Sequence, residues 1–252
     1  MTSGRLILVP NTLDFGTAAA GDLTEVLPLA AIRTAAGLGH WVAENAKTLR
    51  AFLKRVDAVQ PLARPLQAIA IVEMPRPPKG ATAPAAAPLD ALLAPALAGE
   101  DLGLMSEAGM PAIADPGAEL VRAAHRLQVP VLALPGPSSL LLALASSGLN
   151  GQSFAFVGYL PVDAAARATR IRELETLSRR TAQTQLVIET PYRNEALLAG
   201  LLAALSPQTR LSVSCGLTLP GGWTRSDTVA HWKAAPATLP KDIPAVFAFL
   251  AG

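Results

Sequence analysis

Residues 104–117, LMSEAGMPAIADPG, combine small residues, turn-forming residues and two carboxylates in one short stretch. Their glycines and prolines favour a tight loop, and the alanines leave backbone N–H and C=O groups open to close approach by a ligand. The apolar residues at 102–105 predict a strand, so the loop should follow a strand's carboxyl end, where α/β sheets bind ligands. The segment predicts a small-molecule site, although a plain structural turn would share this composition.

Four carboxylates are candidates for a general base, which must lie within hydrogen-bond distance of the proton that it removes: Glu44, Glu107, Asp115 and Glu189. Asp115 lies next to Pro-Gly at the start of a predicted helix, which favours N-capping. Glu44 is the preferred base. Tyr192 and Arg193 follow Glu189 at a helix start, where Arg193 could bind a substrate phosphate or an internal carboxylate, and we favour the internal role.

A metal site is not predicted, because His40, His125 and His231 are scattered and share no ligand spacing with Cys215. Cys215 lies within an apolar strand and is expected to be buried rather than reactive. As a single cysteine it also cannot form an internal disulfide.

The elements that position these residues alternate between strand and helix in the first part of the chain. This alternation predicts a mostly parallel sheet, with the loops after Pro10, Met105 and Leu134 on one rim. The predicted strands are 5–9, 40–43, 67–72, 102–105 and 130–134, and the predicted helices are 23–36, 46–56, 89–97, 118–127 and 138–147. The proline-rich stretch 74–88 predicts an irregular surface loop.

The pattern changes after the GLNG turn at 148–151. Strands are predicted at 154–160, 185–189, 211–217 and 244–250, with helices at 164–177 and 194–205. We therefore predict an N-terminal α/β domain, 1–150, that carries the 104–117 loop, and a C-terminal α/β domain, 151–252.

Composition excludes some classes of protein. The longest apolar stretches are shorter than the ~20 residues that span a bilayer, and the N-terminus does not resemble a signal peptide, so a cytoplasmic location is expected. A net charge of +2 and a pI near 8.9 are too mild to indicate nucleic-acid binding by themselves. Two basic clusters are interpreted as solvated helix faces, with RNA contact as the less favoured alternative. They are Lys47, Arg50, Lys54 and Arg55, and Arg167, Arg170, Arg172, Arg179 and Arg180.

Several motifs resemble those of the tetrapyrrole (corrin/porphyrin) methylase superfamily. SEAGMPAIADPG is similar to its signature loop in the form SDAGTPxISDPG, found in bacterial ribose methyltransferases that modify small-subunit ribosomal RNA. LPGPSS, FVGYLP and LVIETPYR follow in the family's order, and LILVPNTL and AENAKT precede the loop as in the family. The ordered series makes the resemblance specific, whereas one motif alone would be weak.

The resemblance implies a two-domain α/β fold, with a mostly parallel N-terminal sheet, a mixed C-terminal sheet and flanking helices. It also implies a homodimer that binds S-adenosylmethionine, releases S-adenosylhomocysteine and transfers the methyl group by in-line displacement, which depends more on alignment than on side-chain chemistry.

Matched position by position, the resemblance gives a set of cofactor-binding residues, most of them acting through backbone groups. Core packing is an equally plausible role for any single apolar member. The set is Pro10, Glu107, Ala108, Gly109, Met110, Ile113, Ala114, Ser138, Ser139, Glu189, Thr190, Gly216, Leu217 and Ala245.

The departures from the family pattern lie on the acceptor side. AENAKT replaces AEDTR, so Asn45 stands for an aspartate and the arginine position is shifted or replaced by Lys47, and residues 73–88 lack the family's HxHNE-like segment. In the retained cofactor loop, Glu107 replaces an aspartate and keeps its charge. Three functions remain open: methylation of ribosomal RNA at a ribose 2′-hydroxyl, methylation of a tetrapyrrole or another small molecule, and a catalytically inactive cofactor-binding regulatory protein. We favour the first.

Overall fold

The computed structural model describes residues 3–14, 21–75 and 86–252. The chain divides into two units, Met1–Ser138 and Ser139–Gly252, each built around a five-stranded sheet. The second unit thus begins at Ser139, with the helix that precedes the predicted boundary at 150. None of the helices in the described ranges is both long and apolar enough to span a membrane.

The first unit contains a parallel sheet in which every strand is paired with its neighbours in the same direction. Its order is β3-β2-β4-β1-β5. The strands are β1 (Leu6–Leu8), β2 (His40–Ala43), β3 (Ala70–Glu73), β4 (Leu102–Met105) and β5 (Val131–Ala133).

Helices cover both faces of this sheet. α1 (Leu29–Gly37) and α2 (Ala46–Val59) pack with Ile7, Trp41 and Met105 on one face. The other face, which carries Leu6, Val42 and Leu104, packs against α3 (Ala86–Leu92), α4 (Ala94–Leu97) and α5 (Ala118–Arg126). Because alternate strand residues face opposite sides and both sides are covered, the central strands β1 and β4 are apolar throughout, as is usual in parallel sheets.

Several predicted segments of the first unit differ from the structure. The predicted strand 67–72 is a 3₁₀ turn, Leu66–Ala68, followed by β3, and the predicted helix 89–97 is divided between α3 and α4. The predicted helix 23–36 is a 3₁₀ turn, Leu23–Glu25, followed by α1, because Pro28 is extended (φ −58°, ψ 137°) and ends the first turn. Asp22 caps the 3₁₀ turn by accepting a hydrogen bond from the Thr24 amide. In the predicted loop 74–88, residues 76–85 lie outside the described residues, and the chain is already helical from Ala86.

The second unit has a mixed sheet in the order β6-β7-β10-β8-β9, in which only β6 and β7 pair in parallel. Its strands are β6 (Phe154–Tyr159), β7 (Thr184–Ile188), β8 (Arg210–Cys215), β9 (Trp223–Thr228) and β10 (Ala245–Leu250). Its helices are α6 (Ser139–Ser147), α7 (Ala164–Thr181), α8 (Asn194–Ala204) and α9 (Val229–Ala234). The predicted fold class, with a parallel first sheet, a mixed second sheet and flanking helices, is confirmed. β9 and α9 were not predicted.

Candidate functional site

The connections of two neighbouring strands define a crevice in the first unit. β1 and β4 are adjacent, but the chain after β1 leads to α1 on one face and the chain after β4 leads to α5 on the other. This is the topological switch point of the sheet, where open α/β sheets bind their ligands. The 104–117 loop begins in β4 and continues at this point.

Asn11 joins the loops that follow β1 and β4. Its backbone N–H donates to the Gly109 carbonyl at 2.8 Å, and its side-chain amide donates to the Glu107 carbonyl at 2.8 Å. The Gly109 N–H donates in return to the Thr12 carbonyl at 3.3 Å. Asn11 is buried, so these bonds fix the two loops together. Asn11 was not among the residues predicted from the sequence. Its position as a polar residue directly after a buried strand and Pro10 could have indicated a role at the site.

The loop after β5 joins the same rim through Pro10. A Cβ atom built on Gly136 would overlap the side chain of Pro10, so only glycine permits this contact. The Pro137 carbonyl in turn lies beside Gly109. The structure therefore brings together the three loops expected on one rim. Ser138 is buried at the end of the first unit, and Ser139 begins α6.

The loop after β4 is held in an unusual backbone conformation. Gly109, Ala112 and Ala114 have φ values of 64°, 65° and 62°, in the left-handed region that residues with side chains rarely occupy. Gly117, at φ 134°, is the N-cap of α5 and makes no side-chain capping bond. The prediction that Asp115 caps this helix is therefore wrong, because the helix begins beyond it.

Three carboxylates converge where β2 and β4 end. A Glu44 carboxylate oxygen accepts a hydrogen bond from the Glu107 N–H at 3.1 Å. The Glu107 carboxylate accepts from the Asn45 side-chain amide at 3.0 Å and from the Thr48 hydroxyl at 3.5 Å. The pKa of the Asp115 carboxyl is raised to about 7. Burial is the main cause, and the negative charges of Glu44 and Glu107 add to it.

The loop has polar and apolar groups that could contact a small-molecule ligand. The Ser106 hydroxyl is buried and has no hydrogen-bond partner among the described residues. The backbone N–H groups of Ala108, Ala112 and Ala114 donate no hydrogen bond to any described residue, so they can donate to a ligand. Ile113 is 45% exposed and presents an apolar side chain at the rim. The loop thus offers polar and apolar contacts without bulky side chains in the way.

Apart from Ser139, the second-unit residues of the predicted cofactor-binding set lie at one end of the three central strands of the second sheet. Glu189 and Thr190 follow β7, Gly216 and Leu217 follow β8, and Ala245 begins β10. The antiparallel register pairs Val246 with Ile188 and Ala245 with Cys215, which places these segments side by side. The Gly216 N–H donates to the Pro244 carbonyl at 3.0 Å.

Glu189 is neutralised within the second unit. Its buried carboxylate lies 2.9 Å from the Arg193 guanidinium and accepts a hydrogen bond from the Thr190 N–H at 2.8 Å. The predicted internal role of Arg193 is confirmed, and Glu189 is a poor candidate for a base. Cys215 is buried as predicted, and burial raises the pKa of its thiol. Over the described ranges, no group of three His, Cys, Asp or Glu residues could hold a metal ion.

The two basic clusters lie on different helices. On α2, Lys47, Arg50 and Lys54 are exposed, whereas Arg55 turns inward and bonds to Asp14 at 3.0 Å and to the Thr12 hydroxyl at 3.2 Å. On α7, three of the five arginines are engaged internally: Arg167 with the Val162 carbonyl, Arg170 with Glu173, and Arg179 with the Gly252 carbonyl.

Comparison with known proteins matches residues 25–230 to the model of the Tetrapyrrole (Corrin/Porphyrin) Methylases. Ribosomal RNA small subunit methyltransferase I of Mesorhizobium japonicum is 35% identical over 57% of this chain and 49% of its own length. The protein of the same name from Micromonospora olivasterospora is 42% identical over 42% of this chain and 33% of its own length. The matched segments thus span between a third and a half of these relatives.

Among solved structures, the uroporphyrin-III C-methyltransferase of Thermus thermophilus, complexed with S-adenyl homocysteine, superposes with a TM-score of 0.50. The match has 19% identity and covers 98% of this chain and 97% of that one, which shows a shared fold. Since the family model spans most of the sequence, including the loop at the switch point, the chain belongs to the tetrapyrrole (corrin/porphyrin) methylase family.

Proposed function

We propose that this protein is an S-adenosylmethionine-dependent methyltransferase that methylates a ribose 2′-hydroxyl of small-subunit ribosomal RNA. The observation that carries the proposal is the 104–117 loop, which lies at the switch point with a buried, unpartnered Ser106 hydroxyl and open backbone amides among the described residues. The two curated relatives described above, from Mesorhizobium japonicum and Micromonospora olivasterospora, are named ribosomal RNA methyltransferases, which favours RNA over a tetrapyrrole as the acceptor.

The cofactor, when bound, supplies a methyl group on a positively charged sulfur, which is already a strong electrophile. The protein's task is to align the acceptor oxygen and take its proton. The proposed cofactor-binding residues are those of the sequence-derived set. In the first unit they are Pro10, Ser138 and the 107–114 loop residues Glu107, Ala108, Gly109, Met110, Ile113 and Ala114. In the second unit they are Ser139, Glu189, Thr190, Gly216, Leu217 and Ala245.

Glu44 is the proposed general base. One of its carboxylate oxygens is fixed by the Glu107 N–H, which leaves the other oxygen to accept the proton of the acceptor hydroxyl. Glu107 is less suited, because its carboxylate already accepts two side-chain hydrogen bonds, from Asn45 and Thr48, whereas the Glu44 carboxylate accepts one, from the Glu107 N–H. Glu44 is thus oriented by the loop that binds the cofactor.

We also propose that the protein is a cytoplasmic homodimer. The resemblance to the family implies the dimer, and an apolar surface on the second unit supports it. Phe154 and Tyr159 on the edge strand β6 are 42% and 59% exposed, and the following Val162 is 73% exposed. Exposed apolar side chains on an edge strand are typical of interaction sites.

Methyl transfer can be tested with labelled S-adenosylmethionine and ribosomal RNA from a strain that lacks the gene. We expect label in small-subunit RNA at a ribose, and a fall in kcat of at least about 100-fold for Glu44→Gln with unchanged cofactor affinity. Glu195→Gln, which changes an exposed carboxylate on α8, is the matched control and should be as active as the wild type. Tight cofactor binding without label in RNA would refute an RNA acceptor.

A further inference from the structure

One face of α2 is exposed and carries three cations. Lys47, Arg50 and Lys54 follow the spacing i, i+3 and i+7, which places them on the same side of the helix. The opposite side is buried through Leu49, Phe52, Leu53 and Val56. Ala51 and Ala58 are small exposed residues on the same side of the helix, and the exposed Asp57 lies at its margin, in line with Arg50.

These three cations have no acidic partner in the part of the chain that the structure describes. Among the described residues, Lys47, Arg50 and Lys54 make no side-chain hydrogen bond and no ion pair. Asp57, the acid on this helix, uses its carboxylate to accept the Leu62 N–H at 3.0 Å. Arg55, by contrast, is held by Asp14 and by the Gly21 carbonyl. Arg55 therefore has a structural role, whereas Lys47, Arg50 and Lys54 have no bonded partner in the part of the chain that the structure describes.

The charged face begins at the candidate active site. Glu44 directly precedes Asn45, the N-cap of α2, and Asn45 contacts Glu107. The first amides of α2 are already bonded, Ala46 to the Glu73 carboxylate at 2.7 Å and Lys47 to the Asn45 side chain at 2.9 Å. An anion at this face would therefore be bound by the side chains and not by the helix terminus.

We propose that the Lys47–Arg50–Lys54 face of α2 binds the phosphate backbone of the RNA substrate and directs the strand toward Glu44. The face is about 10 Å long at 1.5 Å per residue, enough for about two or three phosphates of one strand. Such contacts depend on charge and not on base sequence, so they position the strand. This inference rests on the proposed function, because it takes the acceptor to be RNA.

The test is salt-dependent binding of small-subunit ribosomal RNA transcribed in vitro. For the triple variant Lys47→Gln/Arg50→Gln/Lys54→Gln, we expect about 10- to 100-fold weaker binding near 0.1 M salt. The slope of log affinity against log salt should fall by about 2, since each lost phosphate contact in a single strand removes about 0.7. The KM for RNA should rise while the affinity for S-adenosylmethionine stays unchanged.

The matched control removes three exposed cations of the second unit, Arg210→Gln/Lys233→Gln/Lys241→Gln, and changes the net charge equally. It should retain wild-type affinity and slope. An equal loss of RNA affinity in both triple variants, or no loss in the α2 variant, would refute the proposal that the α2 face binds RNA. If the wild type binds RNA through α2 but transfers no methyl group, the surface stands and the proposed activity fails.

Discussion

The side-chain amide of Asn45 donates a 3.0 Å hydrogen bond to the carboxylate of Glu107. The two positions at which this chain departs from the family's aspartates are therefore in contact. An aspartate at position 45 would place two carboxylates against each other in a partly buried site. The asparagine supplies the donor that a carboxylate there could not, while its oxygen still caps α2.

Asn45→Asp should lower the free energy of unfolding by about 1 to 3 kcal/mol at pH 8, because a donor is replaced by a second acceptor. Capping is not the cause, since aspartate and asparagine are similarly good N-caps. The double variant Asn45→Asp/Glu107→Gln should recover most of the loss, because the new glutamine amide can donate to the introduced aspartate in the opposite direction. Urea unfolding measures both, and an Asn45→Asp variant as stable as the wild type would contradict the contact.

Gly109→Ala tests the cofactor loop. The left-handed φ of 64° costs an alanine about 1 kcal/mol, and its Cβ would lie 3.2 Å from a Leu13 methyl group. Gly148→Ala is the matched control, because Gly148 has φ 66° and open space around its Cβ position. Both variants should lose about 1 kcal/mol of stability, but Gly109→Ala alone should weaken S-adenosylmethionine binding, measured by calorimetry. Equal cofactor affinity in the two variants would count against the loop as the cofactor site.

Local sequence was sufficient to predict the elements whose apolar runs are bounded by charged or turn-forming residues. The predicted strands 40–43 and 102–105 coincide with β2 and β4. β9 was missed because its sequence, WTRSDT, is polar, and its six residues are all half-buried at the edge of the sheet. Pairing with β8 makes it a strand, and that pairing is not visible in the local sequence.

The location of the candidate site could be predicted, but not its internal contacts. Small residues after a strand identified the 104–117 loop. The hydrogen bonds from Asn11 to that loop link residues almost a hundred positions apart, so they depend on the order of the strands. Asp115 was misassigned for a similar reason, since Asp-Pro-Gly resembles a helix start, whereas the backbone reaches helical geometry only after Gly117.

Asp115→Asn should stabilise the protein increasingly as the pH rises from about 4 to about 7. With its pKa raised to about 7, the folded protein keeps a proton that the unfolded chain has lost above pH 4, so its stability falls across this window and then levels off. Asparagine removes that penalty. The gain at pH 8 relative to pH 4 should be about 1 to 2 kcal/mol, allowing for solvent screening of this partly exposed group.

Urea unfolding of the wild type and of Asp115→Asn at several pH values measures this difference. Asp242→Asn, which changes an exposed carboxylate of the second unit, should leave the free energy of unfolding unchanged at every pH. A constant offset between Asp115→Asn and the wild type would show that the carboxyl of Asp115 does not keep its proton in the folded state.

Arg193→Met should be strongly destabilising, because it leaves the buried carboxylate of Glu189 without its counter-ion. The Glu189 side chain is 4% exposed, and its bond from the Thr190 N–H compensates only part of the lost charge pairing. We expect a loss of about 2 to 3 kcal/mol, toward the lower end for a broken buried pair. The double variant Arg193→Met/Glu189→Gln should recover part of it, since an amide oxygen can still accept from Thr190 and no charge remains buried. The control, Arg170→Met, breaks an exposed ion pair with Glu173 and should lower the free energy of unfolding by less than about 0.5 kcal/mol. Equal losses in the two arginine variants would contradict the assignment of Glu189 as a buried, paired carboxylate.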